Sequence, residues 1–416
     1  MKYEVKNLNS TCRVCGSSKL FGFLKLDDMP FTDDFIEKEK IGTEFLFPIN
    51  IFYCMDCDTV QTQHDVAVDE YYEDYQYSVG ESSFASAFMK GLAEKLCSTY
   101  FEGQEKIKVL EIGSGDGGQL VPFKELGCEV LGYEPSSFLV EVAAKKGIPS
   151  IQGLFTEDTA NNLPDDFKDV QIIILSYTFD HIPDPIGFLN AAKKILNKTN
   201  GILVVENHDL EKIFERQEYC LFEHEHSIYL TKSTTISLAK KNGLEVVEFD
   251  VLPEKMRRAN SLIFVMTKEG SAFSSKAINE YPLLNYREKA FYLAQADEIK
   301  KGIQNFERHI SEASKSGKTI AGYGAGGRGI MTLSALENAG DIKYLVDKKP
   351  KSKGVYSPKS HLPVYGIEHL ETERVDEVIV FSFGYMDEIK KDLKKMGYNE
   401  DQIISMLDIL KDTNNE

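Results

Sequence analysis

The feature that most constrains the fold occurs twice: an apolar strand runs into a glycine-rich loop, and a helical stretch follows. The first copy is KVLEIGSGDGG at 108–118, and the second is KTIAGYGAGGRG at 318–329. Glycines at such a turn let the backbone bend sharply and approach a ligand closely. The chain is therefore predicted to contain two α/β nucleotide-type folds.

Other apolar, β-branched runs alternate with helical stretches and are bounded by turns. This pattern is typical of a doubly wound sheet of parallel strands. A long polar helical stretch from about 286 to 316 is predicted to link the two folds. The remaining predicted strands lie at 128–134, 170–176, 201–207, 342–347 and 377–382.

Four cysteines near the start form two Cys-x-x-Cys pairs, Cys12 with Cys15 and Cys54 with Cys57. Two such knuckles can bring four thiolates into tetrahedral geometry around zinc, or around iron, and the closed set leaves no open position. A structural zinc site is predicted, with four unrelated reduced cysteines as the alternative. Core packing is the expectation for Cys97, Cys128 and Cys220.

The 416 residues carry a formal net charge of −18, from 48 Lys plus Arg and 66 Asp plus Glu. Such an acidic surface repels nucleic-acid backbones and anionic membranes, so neither is an expected partner. The first residues lack the apolar region of a signal peptide, and no apolar run approaches about 20 residues. A soluble, cytoplasmic protein is expected.

Two acids accompany the first glycine loop. Glu111 precedes Gly113, Gly115 and Gly117, and Glu134 ends the next strand. The first acid is placed to hold an ammonium group, the second to bind two ribose hydroxyls, and the E-x-G-x-G-x-G spacing resembles motif I of class I methyltransferases. This combination predicts S-adenosylmethionine as cofactor. A dinucleotide and a loop without ligand are the alternatives.

Histidines follow the fourth and fifth strands of the central fold, where the carboxyl ends of the strands form a binding crevice. His181 comes first, and His224, Glu225 and His226 follow in FEHEH at 222–226. A neutral imidazole suits removal of a proton next to a ketone, and an adjacent carboxylate can orient it. In an extended strand, His224 and His226 would share one face. A bracing role for His181 and metal binding by the histidine pair are the alternatives.

The second glycine loop offers free amides at a helix N-terminus, which favour an anion such as a diphosphate. Arg328 adds positive charge, and Asp347 ends the next strand as a ribose-binding acid would. Anchoring of a ligand and a purely structural turn both fit this pattern. The candidate binding residues are Tyr323, Gly324, Ala325, Arg328 and Asp347.

With these motifs, nearly the whole chain resembles the nucleotide-linked keto-sugar C-methyltransferases of deoxysugar biosynthesis. The resemblance implies that His226 is the base, that Glu225 supports it, and that His181 and Tyr77 line the same site. The chain departs from the family pattern at Glu223, where a tyrosine is usual, and at 258–261 and 383–384. These positions lie in the substrate region, whereas the cofactor motif is intact.

The predicted fold class is α/β, a class I methyltransferase doubly wound sheet flanked by two smaller units. The predicted boundaries are a zinc-binding module at 1–70, a methyltransferase domain at 71–300 and a Rossmann-like, nucleotide-sugar-anchoring domain at 301–416. The predicted reaction is C-methylation, at C3, of a nucleoside-diphosphate 4-keto-6-deoxy sugar through an enolate. The alternatives are O- or N-methylation of a small metabolite and a silent scaffold that binds the cofactor. The oligomeric state stays open.

Overall fold

A computed structural model describes residues 3–73, 82–281, 288–348 and 354–411. The first part of the chain is rich in short strands, joined mostly by turns. No helix in the described ranges is long and apolar enough to cross a membrane. The elements of this part are β1 (Val5–Leu8), β2 (Leu20–Met29), β3 (Ile36–Glu37), β4 (Phe47–Cys54), β5 (Val60–Thr62), β6 (His64–Val66) and α1 (Val68–Glu73).

The middle of the chain alternates strands and helices, as its sequence pattern predicts. Its helices are α2 (Ser83–Tyr100), α3 (Leu120–Glu125), α4 (Ser137–Lys145), α5 (Glu157–Asn161), α6 (Pro185–Ile195), α7 (Leu210–Arg216) and α8 (Lys232–Lys241). Its strands are β7 (Lys108–Ile112), β8 (Glu129–Glu134), β9 (Ser150–Gln152), β10 (Ile172–Ser176), β11 (Ile202–Asn207), β12 (Ile228–Tyr229), β13 (Leu244–Phe249) and β14 (Leu262–Lys268).

Seven of these strands form one sheet in the order β13-β14-β11-β10-β7-β8-β9. Successive residues of β10 enter two cores on opposite faces, Ile173 and Leu175 on one and Ile172 and Ile174 on the other. This alternation explains why the central strands are apolar on both sides. The expectation of an all-parallel sheet is wrong in one respect, because β14 runs antiparallel to both β11 and β13.

The last part of the chain forms a second α/β fold. Its five-stranded sheet is parallel throughout, in the order β18-β16-β15-β19-β20. The strands are β15 (Ile320–Tyr323), β16 (Tyr344–Asp347), β17 (Val355–Tyr356), β18 (Val364–Gly366), β19 (Glu377–Val380) and β20 (Ile403–Ser405). The helices are α9 (Lys289–Lys315), which precedes the sheet, then α10 (Gly327–Ser334), α11 (His369–Thr372), α12 (Met386–Lys395) and α13 (Met406–Leu410).

Helix α9 is more than the polar link that the sequence predicts. Its residues Tyr292, Ile299, Phe306 and Ile310 are buried at helical spacing and form one apolar stripe. This stripe belongs to a core that also contains apolar residues of β2, β4, the 210–222 segment and the second α/β fold. One hydrophobic core therefore joins all three parts of the chain.

The four-stranded sheet of the N-terminal part also crosses a predicted boundary. Its order is β12-β5-β4-β2, so its last strand comes from the middle of the chain. Strand β3 pairs in turn with β17 of the C-terminal part. Strands and core side chains are thus shared across the predicted domain boundaries at 70 and 300. These boundaries remain predictions.

Candidate active site

The loop after β7 requires glycine for two different reasons. Gly113, Gly115 and Gly117 have φ angles of 69°, 52° and 74°, a region that glycine enters freely. A Cβ atom at Gly113 would lie 2.4 Å from the Oγ1 atom of Thr178. At Gly115 a Cβ atom would have no neighbour within 4 Å. The loop is therefore tightly packed at its start and open in its middle, as a loop that cradles a ligand must be.

The two acids beside this loop differ in their partners. Both carboxylate oxygens of Glu134 are bonded, accepting from the backbone N–H groups of Gly115 at 2.8 Å and Ser136 at 2.9 Å. The Oε2 atom of Glu111 is buried without a hydrogen-bond partner among the described residues. Burial raises the pKa of Glu111 well above its usual range. A buried carboxyl of this kind fits an ammonium ligand, which would pair with it and favour its ionised form.

Gly115→Leu tests whether the open space is the cofactor site. Gly243 is the matched control, because it has a φ angle of 63° and also has nothing within 4 Å of an added Cβ. Both leucine variants are expected to lose about 1–2 kcal/mol of stability from the left-handed backbone. Only Gly115→Leu should weaken S-adenosylmethionine binding, by about 10- to 100-fold, because its side chain fills the space. Equal Kd values for the two variants by isothermal titration would contradict this placement.

Three histidines meet at the carboxyl ends of β10 and β11. His181 follows β10, His208 follows β11, and His226 lies in the segment before β12. The ring of His226 lies 4.7 Å from that of His181 and 4.9 Å from that of His208, measured between centroids. The carboxylate of Asp180 completes the group, since one polar atom each of Asp180, His208 and His226 lie within 4.8 Å of one another. We call these four residues the histidine cluster.

Hydrogen bonds fix the orientation of two of these rings. The Nδ1–H group of His226 donates to the backbone carbonyl of Leu221 at 2.8 Å. Nδ1 of His208 lies 2.6 Å from Oδ2 of Asp180, so it carries the proton that the ionised carboxylate accepts. Each ring then presents its Nε2 atom, for which no partner is found among the described residues. Nδ1 of His181 lies 2.5 Å from the hydroxyl oxygen of Tyr72.

The surroundings of these three imidazole rings shift their pKa values in different directions. Burial lowers the pKa of His181 to about 3 and that of His208 to about 4, so both rings are neutral near pH 7. Burial also acts on His226, but the carboxylates of Glu223, Asp180 and Glu225 outweigh it and raise the pKa of His226. Asp180 is buried as well, yet the neighbouring histidines keep its pKa below the usual range.

Arg258 lies between the glycine-loop acid and the histidine cluster and acts on the acid through its charge. The guanidinium of Arg258 lies 3.3 Å from the carboxylate of Glu206 and 5.3 Å from the ring centroid of Tyr177. Its charge also acts on Glu111. Tyr177 in turn lies 4.6 Å from the ring of His208. The glycine loop follows β7 and the cluster follows β10 and β11, so both lie at the carboxyl ends of these neighbouring parallel strands.

His224 and Glu225 lie apart from the cluster. Residues 224–225 form a turn, so the extended strand in which His224 and His226 would share a face is not present. The Nε2–H group of His224 donates to the Met29 carbonyl, and its Nδ1 accepts from His64, both at 2.8 Å. Neither nitrogen of His224 is thus available for catalysis. The carboxylate of Glu225 accepts from Tyr71 at 3.2 Å rather than from His226, so it acts on His226 only through its charge.

The second glycine loop repeats the construction of the first. The backbone N–H of Ala325 donates to Oδ2 of Asp347 at 3.0 Å, as that of Gly115 does to Glu134. Gly324 has a φ angle of 105°, which again requires glycine. The sequence predicts that Asp347 binds ribose, and the structure shows that it also holds the loop closed.

Two side chains of this second loop, those of Tyr323 and Arg328, differ in their surroundings. The hydroxyl of Tyr323 is buried without a hydrogen-bond partner among the described residues. Nε of Arg328 lies 3.8 Å from the fully buried carboxylate of Glu218, and its guanidinium lies 5.1 Å from the ring centroid of Phe383. The charge of Arg328 also acts on Tyr177, which borders the histidine cluster. Arg328 therefore brings a cation from the C-terminal part to the central site.

The four N-terminal cysteines come together as predicted. The sulfur atoms of Cys12 and Cys57 lie 3.5 Å apart, and those of Cys15 and Cys54 lie 3.6 Å apart. Four thiolates at about 2.3 Å from a zinc ion would be separated by about 3.8 Å. All four sulfurs lie within 4.8 Å of one another, so the set fits a tetrahedral metal site.

The N-terminal zinc-binding module contacts the loops of the candidate site. Arg13, inside the first knuckle, pairs with Asp65 and donates to the carbonyl of Pro183 at 3.1 Å, in the loop after His181. The Thr62 hydroxyl donates to the carbonyl of His226 at 2.6 Å. The backbone of both histidine-bearing loops is thus held by the module.

Sequence reasoning missed three residues of the site and named one that cannot be placed. Asp180, His208 and Arg258 were not predicted to act together, although Asp180 adjoins His181 and the NHD sequence at 207–209 follows the fifth strand. These sequence features indicate a common site only once the carboxyl ends of the parallel strands are known to be adjacent. Tyr77 lies outside the described residues.

Comparisons with known proteins identify several similar chains. Over 94% of both chains, the sequence is 24% identical to the C-methyltransferase NovU of Streptomyces niveus. It is 25% identical to an uncharacterized methyltransferase of Oceanobacillus iheyensis, over 42% of this chain and 73% of that one. A solved structure from Pyrococcus horikoshii covers 48% of this chain and 99% of its own, with 18% identity and a TM-score of 0.37.

The sheet order, the glycine loop and its acids define a class I S-adenosylmethionine-dependent methyltransferase. A methyltransferase domain family matches residues 85–249. A putative zinc-binding domain family matches residues 12–72, and a C-methyltransferase C-terminal domain family matches residues 273–407. Together the three matches support an S-adenosylmethionine-dependent methyltransferase whose C-terminal part is similar to that of C-methyltransferases.

Proposed function

We propose that this C-methyltransferase acts on a nucleoside-diphosphate 4-keto-6-deoxy sugar and methylates C3, the carbon next to the ketone. The observation that carries the proposal is the histidine cluster at the carboxyl ends of β10 and β11, the same end of the parallel strands from which the glycine loop leaves β7. A carbon acid needs a base beside the methyl donor, and imidazoles provide one near pH 7.

The chemistry of such a site has two parts. An imidazole of the cluster removes the proton from C3, whose acidity comes from the ketone at C4. The sequence predicts this role for His226, with His181 beside it. Hydrogen-bond donors then stabilise the negative charge on the ketone oxygen. The bound cofactor supplies an electrophilic methyl group on sulfur, which the substrate carbon attacks.

The second glycine loop is proposed to hold the diphosphate. Arg328 brings positive charge, and the amides at the start of α10 are placed to receive an anion. The Tyr323 hydroxyl, buried without a partner among the described residues, offers a further donor or acceptor. Because the charge of Arg328 also acts on Tyr177, a nucleotide held there would direct its sugar toward the histidine cluster.

The test is product analysis with the wild-type protein. Nucleotide-linked 4-keto-6-deoxy sugars are incubated with S-adenosylmethionine carrying a ¹³C-labelled methyl group, and the carbon connectivity of the product is read by NMR. A new C3–CH₃ bond supports the proposal. A label on oxygen or nitrogen contradicts C-methylation, and tight cofactor binding with no methyl transfer to any acceptor indicates the scaffold alternative.

A further inference from the structure

Helix α1 of the N-terminal part brings two adjacent tyrosines to the loops of the candidate site. Tyr71 is 2% exposed, and its ring lies 5.3 Å from that of Phe31, measured between centroids. Its hydroxyl donates to the carboxylate of Glu225 at 3.2 Å. The next residue, Tyr72, has its hydroxyl oxygen 2.5 Å from Nδ1 of His181. Tyr71 therefore anchors the helix, and Tyr72 is held against a ring of the histidine cluster.

A phenol and a neutral imidazole can share one hydrogen bond in two ways, and the surroundings of His181 decide between them. Burial lowers the pKa of His181 to about 3, so the ring carries a single proton near pH 7. Its Nε2 atom lies 3.9 Å from Oδ1 of Asp180. This carboxylate is ionised, because the neighbouring histidines outweigh its burial and keep its pKa below the usual range. The negative charge attracts a proton on Nε2 and would repel a lone pair there, so Nδ1 accepts from the O–H group of Tyr72.

The Nε2–H group of His181 is left as a donor. In the described part of the chain it has no acceptor at hydrogen-bond distance, because 3.9 Å to Asp180 is too long. The His181 side chain is 21% exposed, so this donor is open to a ligand. The loop itself is held as well, since the Ser227 hydroxyl donates to the backbone carbonyl of Ile182 at 2.6 Å. His181 thus combines a fixed ring with an open donor.

We propose that Tyr72 is a positioning residue that fixes the tautomer of His181, and that His181 donates its Nε2–H group to the ketone oxygen of the substrate. The inference rests on the proposed function and deepens it, because it leaves proton removal to His226 and assigns the stabilisation of the enolate oxygen. The rings of His181 and His226 lie 4.7 Å apart, so they can address neighbouring atoms of one substrate. The N-terminal part of the chain then sets the hydrogen bonding of a reacting group.

Every proton in this arrangement has a defined place. The C3–H bond breaks, its proton goes to Nε2 of His226, and its electron pair enters the enolate. The negative charge that develops on the ketone oxygen is stabilised by the Nε2–H group of His181. The enolate carbon then forms its bond to the methyl group, the electron pair of the broken S–CH₃ bond stays on sulfur, and the ketone is restored. Without the Tyr72 hydroxyl, His181 would also populate the tautomer that turns a lone pair toward this oxygen.

Tyr72→Phe removes the hydroxyl and keeps the ring, so it tests the hydrogen bond alone. Loss of one fixed donor to an oxyanion costs about 10² to 10³-fold, and part of the His181 population keeps the correct tautomer in this variant. We therefore expect kcat to fall by about 10- to 100-fold, with KM and the Kd of S-adenosylmethionine unchanged. Tyr100→Phe is the matched control and should equal the wild type, since its hydroxyl donates to Glu248 at 2.6 Å at the end of α2. A kcat of Tyr72→Phe within twofold of the wild type overturns the inference.

A double-mutant cycle separates positioning from a general structural role. His181→Gln keeps a side-chain N–H donor and has no tautomer to set, so it should retain at least about tenfold more activity than His181→Ala. Adding Tyr72→Phe to His181→Ala should lower kcat by no more than about twofold, because the group that Tyr72 positions is gone. Losses that multiply in the double variant would mean that Tyr72 acts through another residue, which also overturns the inference.

A readout without substrate tests the tautomer directly. In protein labelled with ¹⁵N-histidine, the ring resonances of His181 are assigned by their loss in His181→Gln. They should report the Nε2–H tautomer in the wild type and a mixture of tautomers in Tyr72→Phe. An Nδ1–H tautomer in the wild type overturns the role given to Tyr72. Absence of any C-methylated product from a wild type that holds the Nε2–H tautomer overturns the proposed function instead.

Discussion

Replacing Cys54 by serine is expected to remove the metal, to lower the free energy of unfolding by about 3–5 kcal/mol, and to abolish most methyl transfer. Metal binding to small zinc modules is linked to roughly 10 kcal/mol or more of folding free energy. The loss should be smaller in this protein, because β2, β4 and β5 are also held by β12 and by the shared core. Activity should fall because Arg13 and Thr62 then no longer hold the loops of His181 and His226.

Metal content by mass spectrometry, urea unfolding and isothermal titration with S-adenosylmethionine check this prediction together. Cys97→Ser is the matched control, since Cys97 lies outside the four-cysteine set. It should retain about one equivalent of metal and full activity. Cofactor affinity should change little in Cys54→Ser, because the Glu111 loop belongs to the central sheet. Retention of metal by Cys54→Ser, or full activity without metal, would show that the site is not structural.

Gly329→Ala is expected to have the second-largest effect, on the C-terminal fold. A Cβ atom at Gly329 would lie 2.1 Å from the backbone carbonyl oxygen of Gly324, and a backbone atom cannot swing aside as a side chain would. Crowding of a packed core by one methyl group usually destabilises by about 1–3 kcal/mol, and a backbone clash belongs at or above the upper end. We expect a loss of about 3 kcal/mol and a raised KM for the nucleotide sugar, because the loop of Arg328 must move.

Gly326→Ala, three residues earlier in the same loop, provides the control. A Cβ atom at Gly326 has no neighbour within 4 Å, and its φ angle of −91° suits any residue. Its free energy of unfolding should stay within about 0.5 kcal/mol of the wild type. Equal unfolding midpoints for the two alanine variants would mean that α10 does not pack as closely on its strand as the structure shows.

Structural features that depend on a few residues close together in the chain could be predicted from the sequence. Glycines 113, 115 and 117 lie between two acids whose strands are adjacent in the sheet, so local spacing indicates the cofactor loop. In the same way, the spacing within the two cysteine pairs indicates the metal site. The second glycine loop and Asp347 repeat this logic in β15 and β16.

Features that depend on tertiary contacts could not be predicted. Asp180 and His208 lie 28 positions apart and meet only because β10 and β11 are adjacent and parallel. The turn at His224 is set by contacts with Met29 and His64, which no local pattern contains. The reversed direction of β14 likewise depends on its pairing with β11, since an apolar strand reads the same in either direction.

The contribution of β12 to the N-terminal sheet has a consequence for synthesis on the ribosome. Thr62 and His226 are 164 positions apart, and Met29 and His224 are 195 apart. The metal-binding segment therefore emerges long before the strand that completes it, and the edge of β5 stays unpaired meanwhile, a known hazard for association between chains. Early metal binding would hold this nascent segment compact until β12 and the segment that contains His226 have been synthesised.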